Sequence, residues 1–229
     1  MLDIQMKVAD LVLEHPECAP ILQRHKIDFC CRGHLPLQDA ASEKKVELPT
    51  LLDELARAID ARERQSRNPA ALSTAALIAH IIGTHHAYLR EALPFIVGLA
   101  NKVARVHGAH DENLIELAVH VREIGEALLP HLDEEEQVLF PALMMGQDGA
   151  VIERELETMV KDHLAVGELL AKIRAATRDF ALPEWACMSF RTLFAELHHL
   201  ETDVLTHVHL ENHALMPRFA KVLAPGAAA

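Results

Sequence analysis

Two histidine–glutamate pairs share one spacing. His131-Leu-Asp-Glu-Glu135 is followed six residues later by Pro141, and His207-Val-His-Leu-Glu211 six residues later by Pro217. Both segments read H-x3-E-x5-P and lie 76 residues apart. An imidazole and a carboxylate four residues apart share one face of a helix and can hold a metal ion together. A second correspondence lies upstream of each pair. His86 with Glu91 and His163 with Glu168 share H-x4-E, 77 residues apart. Duplication of a two-helix hairpin accounts for both offsets. Taken alone the H-x3-E spacing is near what chance yields in a chain with sixteen histidines, so the repeat carries the specificity.

The face these residues occupy sharpens the reading. His131 and Glu135 sit in the apolar stripe Ile124, Leu128 … Val138, Leu139, Ala142, and His207 and Glu211 in the stripe Leu200, Val204 … Ala214, Leu215. His163 interrupts Ile152, Leu156, Val160 … Leu170, Ile173, and His86 falls between Ile82 and Leu89, Leu93. A carboxylate isolated at such a position costs several kcal/mol or is forced to protonate. Two divalent cations would compensate both glutamates and accept all four imidazoles, with carboxylates bridging ions about 3.5–4 Å apart. Imidazole and carboxylate ligation without thiolate suits iron ahead of manganese or zinc. A metal-free core of hydrogen-bonded histidines is the simpler alternative, but it leaves both buried glutamates uncompensated.

The elements that must position these residues are helices. Glycine and proline are sparse, and apolar residues recur at three- and four-residue steps nearly throughout, so the chain reads as all-α. Residues 1–65 carry short helical patterns punctuated by Pro16, Pro20, Gly33, Pro36 and Pro49, a small helical domain. The charged stretch ARERQSRNP reads as a linker. A second domain, 73–229, holds four long patterns at 73–106, 112–144, 149–178 and 184–222. Ser73 is an N-cap candidate, Gly108 and Gly146 mark breaks, and Pro183 suits a helix start. Pro94 and Pro130 fall inside patterns and are expected to bend them. Four such helices with short loops predict an up-down bundle.

Composition bounds the function. With 34 acidic against 22 basic residues, the net charge of −12 argues against nucleic-acid binding, which needs a basic face. No run reaches the roughly 18 apolar residues a membrane span requires. Four cysteines in 229 residues make no disulfide framework, so a reducing cytoplasm is expected.

Taken together, the paired H-x3-E segments resemble the haemerythrin-like bundle. EEEQVLFP at 134–141 and HLENHALMPR at 209–218 are similar to segments of the di-iron proteins that repair iron–sulfur centres. That family also carries a short N-terminal domain with adjacent cysteines, as in Asp28-Phe29-Cys30-Cys31 here. The resemblance covers nearly the whole chain and implies iron ligands at His86, His131, Glu135, His163, His207 and Glu211, the six that the stripes select. One departure is Cys30-Cys31-Arg32-Gly33 where the family usually has Cys-Cys-Gly-Gly. Loss of the first glycine restricts the loop if a positive φ is needed there. Arg32 and His34 are expected to lower the thiol pKa and favour thiolate. Cys18 and Cys187 read as inert core residues. His85 and His199 are candidates for partners of the ligands, His80 for a cap on the metal pocket, and His107, His110, His120, His209 and His213 for solvent-facing positions.

The resemblance implies restoration of iron–sulfur clusters damaged by oxidative or nitrosative stress, with two non-haem irons that donate iron or handle nitric oxide. Cys30 and Cys31 would act as redox or transfer thiols, and the protein would be a repair protein more than a turnover enzyme. Damaged iron–sulfur proteins are the expected partners, with nitric oxide or oxygen as small ligand. A homodimer bringing one chain's cysteines near the other's iron is compatible with the family. The alternatives are an oxygen- or nitric-oxide-binding or sensing protein, with the cysteine domain counting against simple oxygen carriage, and a nitric oxide or peroxide reductase.

Overall fold

A computed structural model describes residues 2–62, 68–146 and 149–219. Residues 63–67 of the expected linker, and 220–222 of the last helical pattern, lie outside these. The chain is all-α, with one isolated bridge, Lys7 to Pro36, as the β-type pairing among the described residues. No helix among them is long and apolar enough to cross a membrane. The fold separates into two compact units, one of residues 1–81 and 205–229 and the other of residues 82–204.

The first unit holds α1 (Val8–Glu14), α2 (Ala19–Arg24), α3 (Leu37–Glu43), α4 (Leu48–Arg62) and α5 (Thr74–His80). It also takes the end of the chain's last helix, followed by a π turn at Leu210–Leu215 and a 3-10 turn at Met216–Phe219. Val8, Leu11, Leu22, Phe29, Leu51 and Leu55 are sealed in its core. Full burial of each such apolar side chain contributes about 1.5–3 kcal/mol. Lys7 offers α1 no side-chain cap. Instead the loop after the cysteines supplies carbonyls: Val8 N–H donates to Leu35 O at 3.0 Å and Ala9 N–H to Gly33 O at 2.9 Å. That close approach explains Gly33, where a Cβ would lie 2.4 Å from Phe29 O and 2.7 Å from Ala9 Cβ. Arg32, by contrast, is absent from the positive-φ residues, so replacing the family's first glycine imposes no left-handed strain. Arg218 closes the unit at the other end of the chain by donating to Ala70 O at 3.0 Å and Thr74 Oγ1 at 3.3 Å.

The second unit is built on α6 (Ala87–His107), α7 (Asn113–Glu134), α8 (Phe140–Met145), α9 (Gly149–Ala176) and α10 (Met188–His209) as far as Val204. Leu89, Leu93 and Ile96 on α6, and Val121, Ile124 and Leu128 on α7, recur at helical steps and are buried. Both helices run on through Pro94 and Pro130. Ser73 caps α5 by accepting from Ala76 N–H at 3.3 Å. Gly146 ends α8 in the left-handed region at φ 64°, where a side chain would be strained.

Three expected helices are interrupted. π turns occupy Ile81–His86, Glu135–Leu139 and Leu210–Leu215, each containing one or more of the candidate ligands. The wider turn leaves Val138 36% exposed while Leu139 and Phe140 point inward, which removes Val138 from the predicted core stripe. Val160 is also exposed. Helix α10 begins at Met188, later than the pattern from 184 suggests, because Ala186 N–H closes a turn onto Pro183 O at 3.0 Å. Cys187 is therefore exposed on that turn, with His107 Nε2 3.2 Å from its Sγ, and is not a core residue. Cys18 is fully buried, as expected.

Candidate metal centre

Glu135 is the hub of the second unit. It opens the π turn that follows α7, and only 2% of it is exposed. Three imidazoles face it through Nε2. His86 lies 3.3 Å from Oε2, and His131, in the last turn of α7, lies 3.3 Å from Oε1. His163, midway along α9, lies 3.9 Å from Oε1. All three histidines are buried, and the rings of His131 and His163 meet edge to face at 5.1 Å.

The opposite ring nitrogens face carboxylates. His86 Nδ1 donates to Glu136 Oε1 at 2.9 Å, and His131 Nδ1 lies 3.3 Å from Asp162 Oδ2. A proton held at Nδ1 leaves a lone pair at Nε2, so acceptor nitrogens point toward an acceptor carboxylate. A cation between them satisfies both. This donor set fits a divalent transition metal, with imidazole and carboxylate ligands suited to iron. Arg90 steadies the outer layer by reaching Asp133 at 2.7 Å and Glu136 at 3.1 Å. Burial pushes the Glu136 carboxyl up, but the hydrogen bonds from His86 and Arg90 outweigh it and hold its pKa below the ordinary value.

In the first unit His207 and Glu211 form the matching pair. His207 Nε2 and Glu211 Oε1 are 2.9 Å apart, and both residues are fully buried. His209, two residues on, was expected to face solvent. It is 2% exposed, donates from Nδ1 to Phe29 O at 3.0 Å and meets the Phe29 ring edge-on at 5.6 Å. Burial pushes its pKa down to about 4, so it is neutral at physiological pH. His213 Nε2 and Asn212 Nδ2 both donate to the carbonyl of Cys30. No pattern marked these contacts, because they join residues some 180 positions apart.

The cysteine pair departs from expectation in its electrostatics. Cys30 is buried and only Cys31 is partly exposed. Arg32 pairs with Glu43 at 3.2 Å, away from the thiols, while Asp28 Oδ1 stands 3.2 Å from Cys30 Sγ. The hydrogen bond with Cys31, then burial, then the Asp28 charge push the Cys30 thiol well up, opposite to the thiolate-favouring shift read from Arg32 and His34. Of the other candidates, His85 is buried with Nδ1 2.8 Å from Asp203 Oδ1. His199 is exposed against the Tyr88 ring, and His80 is half-buried at the end of α5.

Helices carrying buried inward histidines around a glutamate define a haemerythrin-type cation-binding protein. Residues 77–219 match the family model described as "Hemerythrin HHE cation binding domain", and residues 4–59 match "Domain of Unknown function (DUF542)". The chain is 32% identical over 216 residues to the "Iron-sulfur cluster repair protein ScdA" of Staphylococcus haemolyticus, covering 93% of this chain and 97% of that one. It is 32% identical over 215 residues to the "Probable iron-sulfur cluster repair protein" of Haemophilus influenzae, covering 93% and 96%. The "Iron-sulfur cluster repair protein YtfE" of Yersinia pseudotuberculosis is 33% identical over 208 residues, covering 91% and 93%. The chain belongs to this iron–sulfur cluster repair family of haemerythrin-type proteins.

Proposed function

We propose that the protein restores iron–sulfur clusters damaged by oxidative or nitrosative stress, using two non-haem irons held by His86, His131, Glu135, His163, His207 and Glu211. The convergence of three imidazole Nε2 atoms on buried Glu135 carries this reading. The burial of His207 and Glu211 at the repeat-related position supports their inclusion, and the names of the relatives support cluster repair. Two such irons, bridged by carboxylate, would supply redox-active Lewis acids with open positions for nitric oxide or oxygen. Glu136 and Asp162 hold the outer nitrogens of His86 and His131, so those rings present lone pairs inward without reorganising. The buried surroundings exclude water and keep the carboxylates from being solvated instead of ligating. Damaged iron–sulfur proteins are the partners in this reading, iron or a nitrosyl group is the cargo, and Cys30 and Cys31 are the transfer thiols. The working compartment is a reducing cytoplasm, and a homodimer is one way to bring thiols to a second chain's centre.

The test is metal content and Mössbauer spectroscopy on protein purified without air, followed by reactivation of a cluster-damaged dehydratase. Two irons per chain and recovery in proportion to the protein added support repair. One zinc per chain sinks the metal assignment. Steady turnover of nitric oxide by the loaded protein replaces repair with a reductase function.

A further inference from the structure

The loop at Asp28, Cys30 and Cys31 gathers three metal-ligating groups, none of them among the six assigned to the histidine-rich centre. Cys30 Sγ lies 3.2 Å from Asp28 Oδ1 and 3.7 Å from Cys31 Sγ. One ligand atom from each of the three residues lies within 4.8 Å of the others. Two thiolates on one tetrahedral ion, each at about 2.3 Å, would be about 3.8 Å apart, so the thiols already stand at a chelating separation. The loop needs little adjustment to keep it. Asp28 Oδ1 accepts from Cys30 N–H at 3.0 Å and Cys31 N–H at 2.8 Å. His209 and His213 hold the carbonyls of Phe29 and Cys30 from the end of the last helix.

We propose that Asp28, Cys30 and Cys31 form a second metal site that takes one borderline divalent cation of the ferrous or zinc class. Binding replaces two thiol protons: the cation forms two metal–sulfur bonds and one metal–oxygen bond, and two protons leave to solvent. The charge bookkeeping closes, because a carboxylate with two neutral thiols and a carboxylate with two thiolates and a divalent ion both carry −1. The buried loop therefore accepts the ion without gaining charge, which limits the penalty of placing it there. Three protein ligands leave a fourth position open, and Cys31 is the partly exposed side from which an ion enters and leaves. The site is tied through His213 and Asn212 to the residues immediately after Glu211. Its existence does not depend on the occupancy of the histidine-rich centre.

Anaerobic titration of the full reduced chain with cobalt(II) tests this, because sulfur-to-cobalt charge-transfer absorption reports thiolate ligation and imidazole or carboxylate sites do not produce it. The expected result is a band whose final intensity corresponds to one thiolate-bound cobalt per chain in wild type and in Cys187→Ser, and that is absent in Cys31→Ser. Asp28→Asn keeps the oxygen that accepts the loop amides but loses the ligating charge, and is expected to bind about tenfold more weakly. Circular dichroism that is unchanged in Cys31→Ser shows that loss of the band reflects lost ligation. No band in the wild-type protein, or a band that persists in the Cys30→Ser/Cys31→Ser double variant, overturns the proposal. Loss of iron from the histidine-rich centre with retention of the cobalt–thiolate band would separate the two sites.

Discussion

The Nδ1 atom of His86 donates a hydrogen bond to Oε1 of Glu136 across 2.9 Å, linking a histidine that faces Glu135 to the residue next to Glu135. The bond fixes the tautomer of His86 and orients its ring. Glu136→Ala is expected to weaken metal binding by roughly 10- to 100-fold, measured by chelator competition. Glu136→Gln retains an acceptor oxygen and should recover most of the affinity. Equal losses in both variants would show that charge, not ring orientation, is what Glu136 contributes.

Glu135→Gln should abolish loading at this hub. A ligand present at 100 times its dissociation constant stabilises the native state by about 2.7 kcal/mol. Wild-type protein should show a gain of that order in chemical unfolding when iron(II) is added without air, and Glu135→Gln should show almost none. Iron content per chain, read on the same samples, should fall in parallel.

Gly33→Ala should destabilise the first unit by about 1–3 kcal/mol, the range for forced overpacking. The new methyl would meet a backbone oxygen at 2.4 Å, and that backbone has little freedom because the loop carbonyls cap α1. Urea unfolding monitored by circular dichroism checks this. Gly98→Ala, where nothing lies within 4 Å, is the control and should be neutral or slightly stabilising.

The raised Cys30 thiol sets a direction for pH dependence. Its neutral form is favoured by the fold, so its contribution to stability is fully present below the ordinary thiol pKa of about 8.5 and is lost as pH rises through the higher folded value. Alkylation by iodoacetamide in metal-free, reduced protein should follow the same order. Exposed Cys187 should react first, and Cys30 should label only at markedly more alkaline pH. Mass spectrometry of peptides from a pH series resolves the two. Cys30 labelling as fast as Cys187 at neutral pH would contradict the geometry around Asp28.

The helical class was legible because burial at helical steps writes itself directly into hydrophobic spacing. His86, His131, His163, His207 and both glutamates could be singled out because a polar residue inside an apolar stripe is conspicuous, and the two offsets tied them to one another. The surroundings of those residues were less visible. Glu136 and Asp162 look like ordinary solvated acids in a charged run, and only packing turns them toward His86 and His131. Cys187 sits in an apolar pattern but falls on a turn, because Pro183 accepts a backbone bond there instead of starting a helix. Arg32 beside two cysteines suggested a lowered thiol pKa, yet its side chain reaches Glu43. Sequence neighbours are not spatial neighbours when a long side chain has another carboxylate within reach.

The wide turns at Ile81–His86, Glu135–Leu139 and Leu210–Leu215 have a mechanical meaning. Each fits one more residue into a turn than a regular helix does, at some cost in hydrogen-bond geometry. In the proposed reading, an ion bound to the ligand that each such turn carries would hold the helix segment in that form. Loss of an ion from Glu211 would let the Leu210–Leu215 turn relax, and with it Asn212 and His213, which lie inside that turn and hold the cysteine loop. The state of the centre would then be felt at the thiols as a twist transmitted along one helix end.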